Sequence, residues 1–346
     1  MAIDVTILGA GVFGLGCGVA LARRGARVRV VDPAGVGGGA SGGIVGALAP
    51  HVPELWNEKK AFQLDSLLMA EDWWRDVAEV GDADPGYART GRLQPVPDAA
   101  ALARAQERAA GAVTLWRGRA TWTVEDAPAG WSPGGETVVR DTLSARIHPA
   151  RACDALAAAI RALGGTVEAA AEPEGVVLHA TGWQGLAALR DDAGRPAGAG
   201  VKGQAALFRL DWRDAPQLYA GGLHVVPHAD GTTAVGSTSE RDFAGTGTDA
   251  LLDDVIARAR DAVPALREAE VLRRWAGIRP RARSRAPLLG AWPGRDGHFI
   301  ANGGFKIGFG MAPKVAETMA DLILGGADAI PAAFRTDALA RWPDGG

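Results

Sequence analysis

The first thirty-two residues constrain the fold more than any other part of the chain. An apolar strand is predicted at Val5–Leu8, and the glycine-rich segment GAGVFG, Gly9–Gly14, follows it directly. A helical pattern with many small residues covers Val12–Gly25, and a second apolar strand, Val28–Val31, leads into Asp32. This order is typical of a dinucleotide-binding unit, because a glycine turn after a strand places a helix N-terminus beside the phosphates.

Each glycine of this turn has a predicted role. Gly9 allows the tight turn, Gly11 lets the backbone approach a pyrophosphate, and Gly14 lets the helix pack closely on the strand. Asp32 is placed to accept hydrogen bonds from a ribose diol. The alternative is a turn that serves the fold alone, which the surrounding strand and helix pattern disfavours.

The rest of the chain alternates between two kinds of pattern. A second loop of small residues, ASGGIVGALAP, follows where an NAD enzyme would continue with strands and helices, and short strands dominate later. We therefore predict an α/β protein in which a Rossmann-like domain carries an inserted substrate domain of mixed and antiparallel sheet. The predicted Rossmann-like domain comprises residues 1–84, 146–200 and 276–330, the inserted domain residues 85–145 and 201–275, and the C-terminal tail residues 331–346.

Composition excludes several classes of protein. The 346 residues are 47% hydrophobic and 22% charged, as in globular proteins, and no apolar run reaches the ~18–20 residues that span a membrane. Two cysteines, Cys17 and Cys153, are too few for a disulfide framework or a cysteine metal site, and the six histidines form no metal-binding motif. We therefore expect no metal. The N-terminus shows no leader pattern, so we also expect a cytoplasmic protein.

Six arginines occur within the thirteen residues RRWAGIRPRARSR, 273–285, of a chain whose net charge is −3. Such a segment is explained by nucleic-acid binding, by a solvated face, or by one arginine that binds a small anion. The net negative charge disfavours nucleic acid, because nucleic-acid-binding domains are usually basic. From the residues alone, the other two explanations stay open.

Eight segments spread over nearly the whole chain occur in the order found in one enzyme family. They are GAGVFG with Asp32, ASGGIVGALAPH, TGRL, VVLHATGW, VKGQ, VVPHADG, WAGIRP and GGFKIGFGMAP. Together they resemble the D-amino-acid oxidase superfamily of FAD-dependent amine oxidoreductases, and most closely its glycine oxidase- and sarcosine oxidase-like members. The resemblance implies FAD as the cofactor. It also implies non-covalent binding, because the region shortly before the last helix, where related sarcosine oxidases attach the flavin, contains no cysteine.

The resemblance also implies which residues contact FAD. They are Gly9, Ala10, Gly11, Val12, Phe13, Gly14, Asp32, Pro33, Ala40, Ser41, Val45, Gly46, Ala47, Gly182, Gly304, Phe305, Lys306, Ile307, Gly308, Phe309 and Gly310. A helix that starts near Gly310–Met311 would direct its positive end at the flavin edge where negative charge accumulates on reduction. The alternative for GGFKIGFG is a flexible glycine hinge.

In the family, the arginine of the WAGIRP segment binds the substrate carboxylate, and here it is Arg279. A planar, permanently charged guanidinium suits this task because it offers two parallel N–H donors. Lys306 and His224 stand where glycine oxidase has a substrate-facing arginine and tyrosine, so the resemblance implies amine oxidation without specifying glycine. We expect His224 to titrate near neutral pH, or else to point into solvent from its strand. The other five arginines are expected to be solvated or structural, with Arg283 at the surface.

The predicted reaction is oxidation of a small amino acid or carboxylate-bearing amine by hydride transfer to flavin N5, followed by hydrolysis of the imine. The resemblance implies no catalytic side chain beyond the flavin, and oxygen, a quinone or another carrier would reoxidise it. Two alternatives stay open. One is a flavin oxidase that modifies a carboxymethylaminomethyl group of tRNA, and the other is a non-catalytic FAD-binding subunit.

Overall fold

The computed structural model describes residues 2–341, and two sheets organise them. The first sheet has six strands in the order β15-β16-β9-β1-β2-β8, all parallel except β15, which runs antiparallel to β16. Its strands are β1 (Val5–Leu8), β2 (Val28–Val31), β8 (Thr166–Glu168), β9 (Val176–His179), β15 (Leu288–Ala291) and β16 (His298–Asn302). This is the predicted Rossmann-like sheet.

Four helices pack with this sheet and with one another. They are α1 (Val12–Arg23), α2 (Glu58–Gly81), α4 (Pro149–Ala162) and α7 (Gly308–Ile323). All residues of α1 except Arg23 are buried, so this helix is the centre of the core. Small residues make that position possible, because a Cβ at Gly18 would lie only 2.8 Å from the end of the Ile160 side chain on α4.

The second sheet has eight strands in the order β14-β10-β13-β12-β11-β4-β6-β5, antiparallel except for the pair β11 and β4. Its strands are β4 (Arg92–Pro95), β5 (Trp122–Asp126), β6 (Thr137–Asp141), β10 (Gly198–Arg209), β11 (Gln217–Ala220), β12 (Leu223–Pro227), β13 (Thr232–Gly236) and β14 (Val271–Ala282). Helix α6 (Leu251–Ala262) packs on this sheet with Leu252, Val255, Ile256 and Ala259.

The remaining strands and α-helices lie outside the two large sheets. Strands β3 (Ala47–Leu48) and β7 (Ala145–Arg146) form a two-stranded ribbon, and the other helices are α3 (Ala99–Leu115) and α5 (Gly182–Ala188). Helix α3 is capped by Asp98, whose side chain accepts a hydrogen bond from the Ala101 amide. Within residues 2–341, no helix has the length and apolar character needed to cross a membrane.

The predicted fold class, a Rossmann-like α/β unit combined with a largely antiparallel sheet, is confirmed. The predicted limits at 200/201 and 275/276 fall inside β10 and β14, and both strands belong entirely to the eight-stranded sheet. The predicted tail begins with residues that pack against the core, since the Phe334 ring lies 5.1 Å from the Phe62 ring; residues 342–346 of that tail lie outside the described residues. The division into domains therefore stays a proposal.

Candidate active site

The glycine turn after β1 is built as the sequence predicts. Gly9 has φ +113°, a conformation that favours glycine, and a Cβ there would overlap the Ala180 carbonyl oxygen at the end of β9. A Cβ at Gly14 would overlap the carbonyl oxygen of Gly9. Both positions therefore require glycine, because the turn, α1 and β9 meet there without space for a side chain.

The N-terminus of α1 is open to a ligand. Its N-cap is Gly11, which has no side chain to satisfy the first amides, and only the Val12 amide is bound by a side chain, the Ser41 hydroxyl at 3.0 Å. The Asp32 carboxylate is fixed at the end of β2, because it accepts hydrogen bonds from the amides of Ala10 at 2.8 Å and Ala34 at 2.9 Å. Uncapped amides beside a fixed carboxylate are the arrangement that a pyrophosphate and an adjacent ribose require.

A second open helix N-terminus lies beside the first. Helix α7 begins at Gly308, two residues before the predicted start, and no side chain caps it. A Cβ at Gly304 would be 3.0 Å from the Phe13 ring, and one at Gly308 would be 3.8 Å from the Val12 side chain. The residues present thus fit FAD: α1 presents amides for the pyrophosphate, and α7 directs its positive end towards the same crevice for the flavin.

The loop at residues 40–47 connects this crevice to the large sheet. The Ile44 carbonyl accepts a hydrogen bond from His228 Nε2 at 2.8 Å, and the Trp275 ring would be 3.2 Å from a Cβ at Gly43. The Val45 side chain would lie 3.0 Å from a Cβ at Gly236. His228 and Trp275 were given no role from the sequence, although both lie inside segments that carry the family resemblance.

The structure brings most of the predicted FAD residues together. The turn at 9–14, Ser41 and the segment 304–308 are in contact as described above. Gly182, the first residue of α5, follows the end of β9 that meets Gly9, and its carbonyl accepts a hydrogen bond from the Asn302 amide group at 2.9 Å. The contact of each residue with FAD stays a prediction.

Arg279 lies on β14, on the same face as Gly277 and Trp275. Its guanidinium crosses the neighbouring strand above Gly203 and reaches the segment beyond, where it donates hydrogen bonds to the Ser237 hydroxyl and, at 3.2 Å, to the Thr238 carbonyl. A Cβ at Gly203 would overlap the guanidinium. The bare backbone of β10 at this position is therefore what allows Arg279 to lie flat across the sheet.

The charge of Arg279 has no ion-pair partner among residues 2–341. Burial lowers its pKa to about 10, and the more distant Glu240 opposes that shift. The guanidinium is still protonated at neutral pH. A buried cation that only neutral groups satisfy is suited to bind an anion.

The charge of Arg279 acts on Lys306, and the charge of Lys306 acts on His224. The contact of Lys306 and His224 with a substrate stays a prediction. Burial, followed by Arg279 and Arg281, lowers the pKa of Lys306. Burial, followed by the charges of Arg92 and Lys306, lowers the pKa of His224 to about 3. The expected titration near neutral pH is therefore wrong, because a protonated imidazole would be desolvated between two cations. The alternative of a solvent-facing ring holds only in part, since His224 is half-buried and its Nδ1 is enclosed, without a partner among the described residues.

The other arginines of the 273–285 segment have separate structural environments. Arg274 pairs with Asp253 on α6, and Arg273 is exposed. Arg283 was expected at the surface, but only 9% of its side chain is accessible. It donates to the Asp191 carboxylate and the Leu339 carbonyl, both at 2.8 Å, so it joins the C-terminal segment to the loop after α5. Arg283 is therefore structural and unsuitable as a surface control.

Comparisons with known proteins agree with this site. Residues 4–322 match the model of a family described as FAD dependent oxidoreductase. Glycine oxidase of Pseudomonas putida is 28% identical over 364 aligned positions, covering 94% of this chain and 95% of that protein. The crystal structure of glycine oxidase from Geobacillus kaustophilus has a TM-score of 0.82 at 22% identity, covering 96% of this chain and 97% of that one. That of iminodiacetate oxidase from Chelativorans sp. BNC1 has a TM-score of 0.80 at 21% identity and covers 99% of each chain. The two structures show similarity of fold.

Proposed function

Because the chain belongs to the family of FAD-dependent oxidoreductases, we propose that it oxidises the C–N bond of a small amino acid or other carboxylate-bearing amine. The observation that carries this proposal is Arg279, a half-buried cation without an ion-pair partner among residues 2–341. It lies on the strand whose Pro280 carbonyl accepts a hydrogen bond from Phe305, just before the helix that begins at Gly308. Family membership confirms the predicted cofactor FAD and the predicted class of flavoprotein oxidoreductase.

The chain's own residues supply binding and orientation. Arg279 holds the substrate carboxylate, and the hydrogen bonds to Ser237 and Thr238 fix the direction of its guanidinium. FAD, when bound, supplies the acceptor for a hydride and its two electrons. His224, whose pKa of about 3 keeps it neutral near pH 7, offers its buried Nδ1 as a hydrogen-bonding partner for the amine.

The reaction balances without a catalytic acid or base from the protein. The substrate enters with a neutral amine, its α-carbon loses a hydride, and the nitrogen loses a proton to water. Water then converts the imine to an oxo acid and an amine or ammonia. Restricting the substrate to one orientation is the main contribution of such a site, and orientation alone accounts for several kcal/mol of the barrier, on the order of 7–11 in favourable cases.

The electron acceptor and the cellular location complete the proposal. We propose that oxygen, a quinone or another carrier reoxidises the flavin, and that the protein acts in the cytoplasm. Cys17 and Cys153 support that location, because both are buried, unpaired thiols, as is usual in a reducing compartment. Cell fractionation, and turnover measured with and without oxygen, test the two statements.

The arginine segment disfavours the tRNA-modifying alternative. RNA binding would need several of these side chains free on one surface, but Arg279 and Arg283 are directed inward and Arg274 is paired with Asp253. A non-catalytic FAD-binding subunit is disfavoured for another reason. Such a subunit binds no substrate, so no anion would neutralise the half-buried charge of Arg279. A charge left without a partner in this way destabilises the protein.

A panel of matched amines tests the proposed function. The holoenzyme is mixed anaerobically with glycine, sarcosine and D-alanine, and with methylamine, dimethylamine and ethylamine, which lack only the carboxylate. We expect loss of the oxidised flavin absorbance with at least one carboxylate-bearing amine and none with its partner. Equal reduction by both members of every pair would contradict the role given to Arg279. An absence of reduction by all of these amines, and also by dicarboxylic amines such as iminodiacetate and D-aspartate, would contradict amine oxidation itself.

A further inference from the structure

Three cations, Arg279, Arg281 and Lys306, come from β14 and the segment joined to it, and two of them, Arg281 and Lys306, lie beside one aromatic ring. Arg281 follows Arg279 on the same face of β14, and its guanidinium carbon lies 5.9 Å from the centre of the Phe305 ring. The Lys306 ammonium lies 5.7 Å from the centre of the same ring. A hydrogen bond from the Phe305 amide to the Pro280 carbonyl at 3.0 Å holds the two segments together.

No carboxylate of residues 2–341 forms an ion pair with any of these three cations. Glu240, the acidic group whose charge acts on Arg279, is already used, because the buried Lys202 ammonium binds it at 3.3 Å and Asp249 at 2.5 Å. The charged groups that act on Arg281 are themselves positive, Arg241 and Arg285. The site therefore holds an excess of positive charge within a chain whose net charge is −3.

A single substrate carboxylate would leave most of this charge unbalanced. Arg279 points away across Gly203, towards Ser237, whereas Arg281 and Lys306 lie beside Phe305. The cations thus form two binding positions rather than one. Like charges held close together at half-buried positions repel, and an anion between Arg281 and Lys306 removes that repulsion.

We propose that the substrate is an amine with two carboxylates: Arg279 binds the one next to the oxidised carbon, and Arg281 with Lys306 binds the second. This inference rests on the proposed function and deepens it. The second carboxylate can belong to the nitrogen substituent, as in iminodiacetate, or to the side chain, as in D-aspartate. Both present the same charges to the protein.

Two ethers that cannot be oxidised as amines isolate binding from turnover. Oxydiacetate carries two carboxylates around an ether oxygen, and methoxyacetate is its analogue with one. Binding to the holoenzyme is measured from the change in flavin absorbance. We expect oxydiacetate to bind at least about tenfold more tightly, since each hydrogen-bonded charge contact contributes on the order of a factor of ten. Equal dissociation constants would overturn the proposal.

Variants of two arginines on the same strand locate the second position. Arg281→Gln is expected to reduce the preference for oxydiacetate at least about fivefold. Arg273→Gln removes the same charge from an exposed position of β14 and is expected to keep the preference. An equal loss in both variants would mean that the preference reflects only the total charge, which would also overturn the proposal.

Turnover separates this inference from the proposed function. The ratio of kcat/KM for iminodiacetate to that for sarcosine, and for D-aspartate to D-alanine, is measured in the native protein. A ratio above about ten in either pair supports the second carboxylate position and identifies which side of the amine carries it. Reduction by the monocarboxylic amines alone would refute the second position while leaving the proposed function intact.

Discussion

The cofactor end of the crevice, at the N-termini of α1 and α7, and the substrate end, at Arg279, are built for binding in different ways. At the cofactor end, the turn at Gly9–Gly14 offers backbone amides, and neighbours in sequence or adjacent strands determine its shape. At the proposed substrate end, we expect charged side chains to bind the ligand, and strands distant in sequence determine their positions, as Gly203 does for Arg279. The cofactor end is therefore intolerant of a Cβ at Gly9 or Gly14, whereas at the substrate end we expect single side-chain changes to alter ligand preference.

The largest effect is expected where the backbone leaves no space. Gly14→Ala places a Cβ against the Gly9 carbonyl, so the turn must open and the protein should lose FAD entirely. The measurement is the ratio of flavin to protein absorbance after purification. The control is Gly245→Ala, where a Cβ meets no atom within 4 Å and φ is not positive. A Gly14→Ala protein with a full complement of flavin would contradict the close packing of this turn.

A smaller effect is expected at the glycine beneath Arg279. Gly203→Ala should displace the guanidinium and reduce kcat/KM about a hundredfold, within the roughly 2–5 kcal/mol range for a disrupted buried charge contact. Flavin content should stay normal, because Gly203 lies on β10 in the other sheet. Loss of flavin together with activity would show that the two ends are not separable.

A still smaller effect is expected when the guanidinium keeps its place but loses one hydrogen bond. Ser237→Ala removes the hydroxyl that accepts from Arg279, and kcat/KM should fall roughly tenfold, which is the lower end of the about 1.5–3 kcal/mol for a hydrogen bond to a charged group. The lower end is expected because the Thr238 carbonyl still accepts a hydrogen bond from the guanidinium. Steady-state kinetics with the best amine measures it. A loss as large as that of Gly203→Ala would mean that the hydroxyl itself, and not the space above Gly203, sets the position of Arg279.

The smallest effect on activity is expected from the ionisation of His224. Its pKa falls from 6.5 to about 3 on folding, so it stays neutral from pH 5 to 9 and His224→Gln should not shift the pH dependence of kcat/KM. Stability should respond instead. Below pH 6.5 the unfolded chain binds a proton that the folded protein does not, so unfolding is favoured as the pH falls towards 3. The variant should lose less stability than the native protein between pH 6.5 and 4; an unchanged slope would contradict the low pKa.

The sequence predicted the cofactor end better than the substrate end, for a physical reason. The bounds of β1 and β2 agree with the prediction because a glycine turn and two apolar strands are local patterns. The start of α7 was wrong by two residues. The limits drawn at 200/201 and 275/276 cut two strands, because pairing between β10 and β14 joins residues far apart in the chain.

The environments of single side chains were not predictable from local pattern. The position of Arg283 against Asp191 and the low pKa of His224 both depend on burial by distant segments. That Gly203 provides space for Arg279 was not predicted, although the glycine is part of the VKGQ segment. A glycine inside a strand, which normally weakens it, was the available signal for a close approach of another group.

The most direct test compares Arg279→Leu with Arg273→Leu, two changes of the same charge on one strand. If Arg279 alone anchors the substrate carboxylate, its replacement should lower kcat/KM by roughly 30- to several-thousand-fold, while the flavin spectrum stays that of the native protein. Arg273 is exposed, and its replacement should cost less than about threefold. Equal, modest losses in the two variants would contradict the assignment of Arg279 as the substrate anchor.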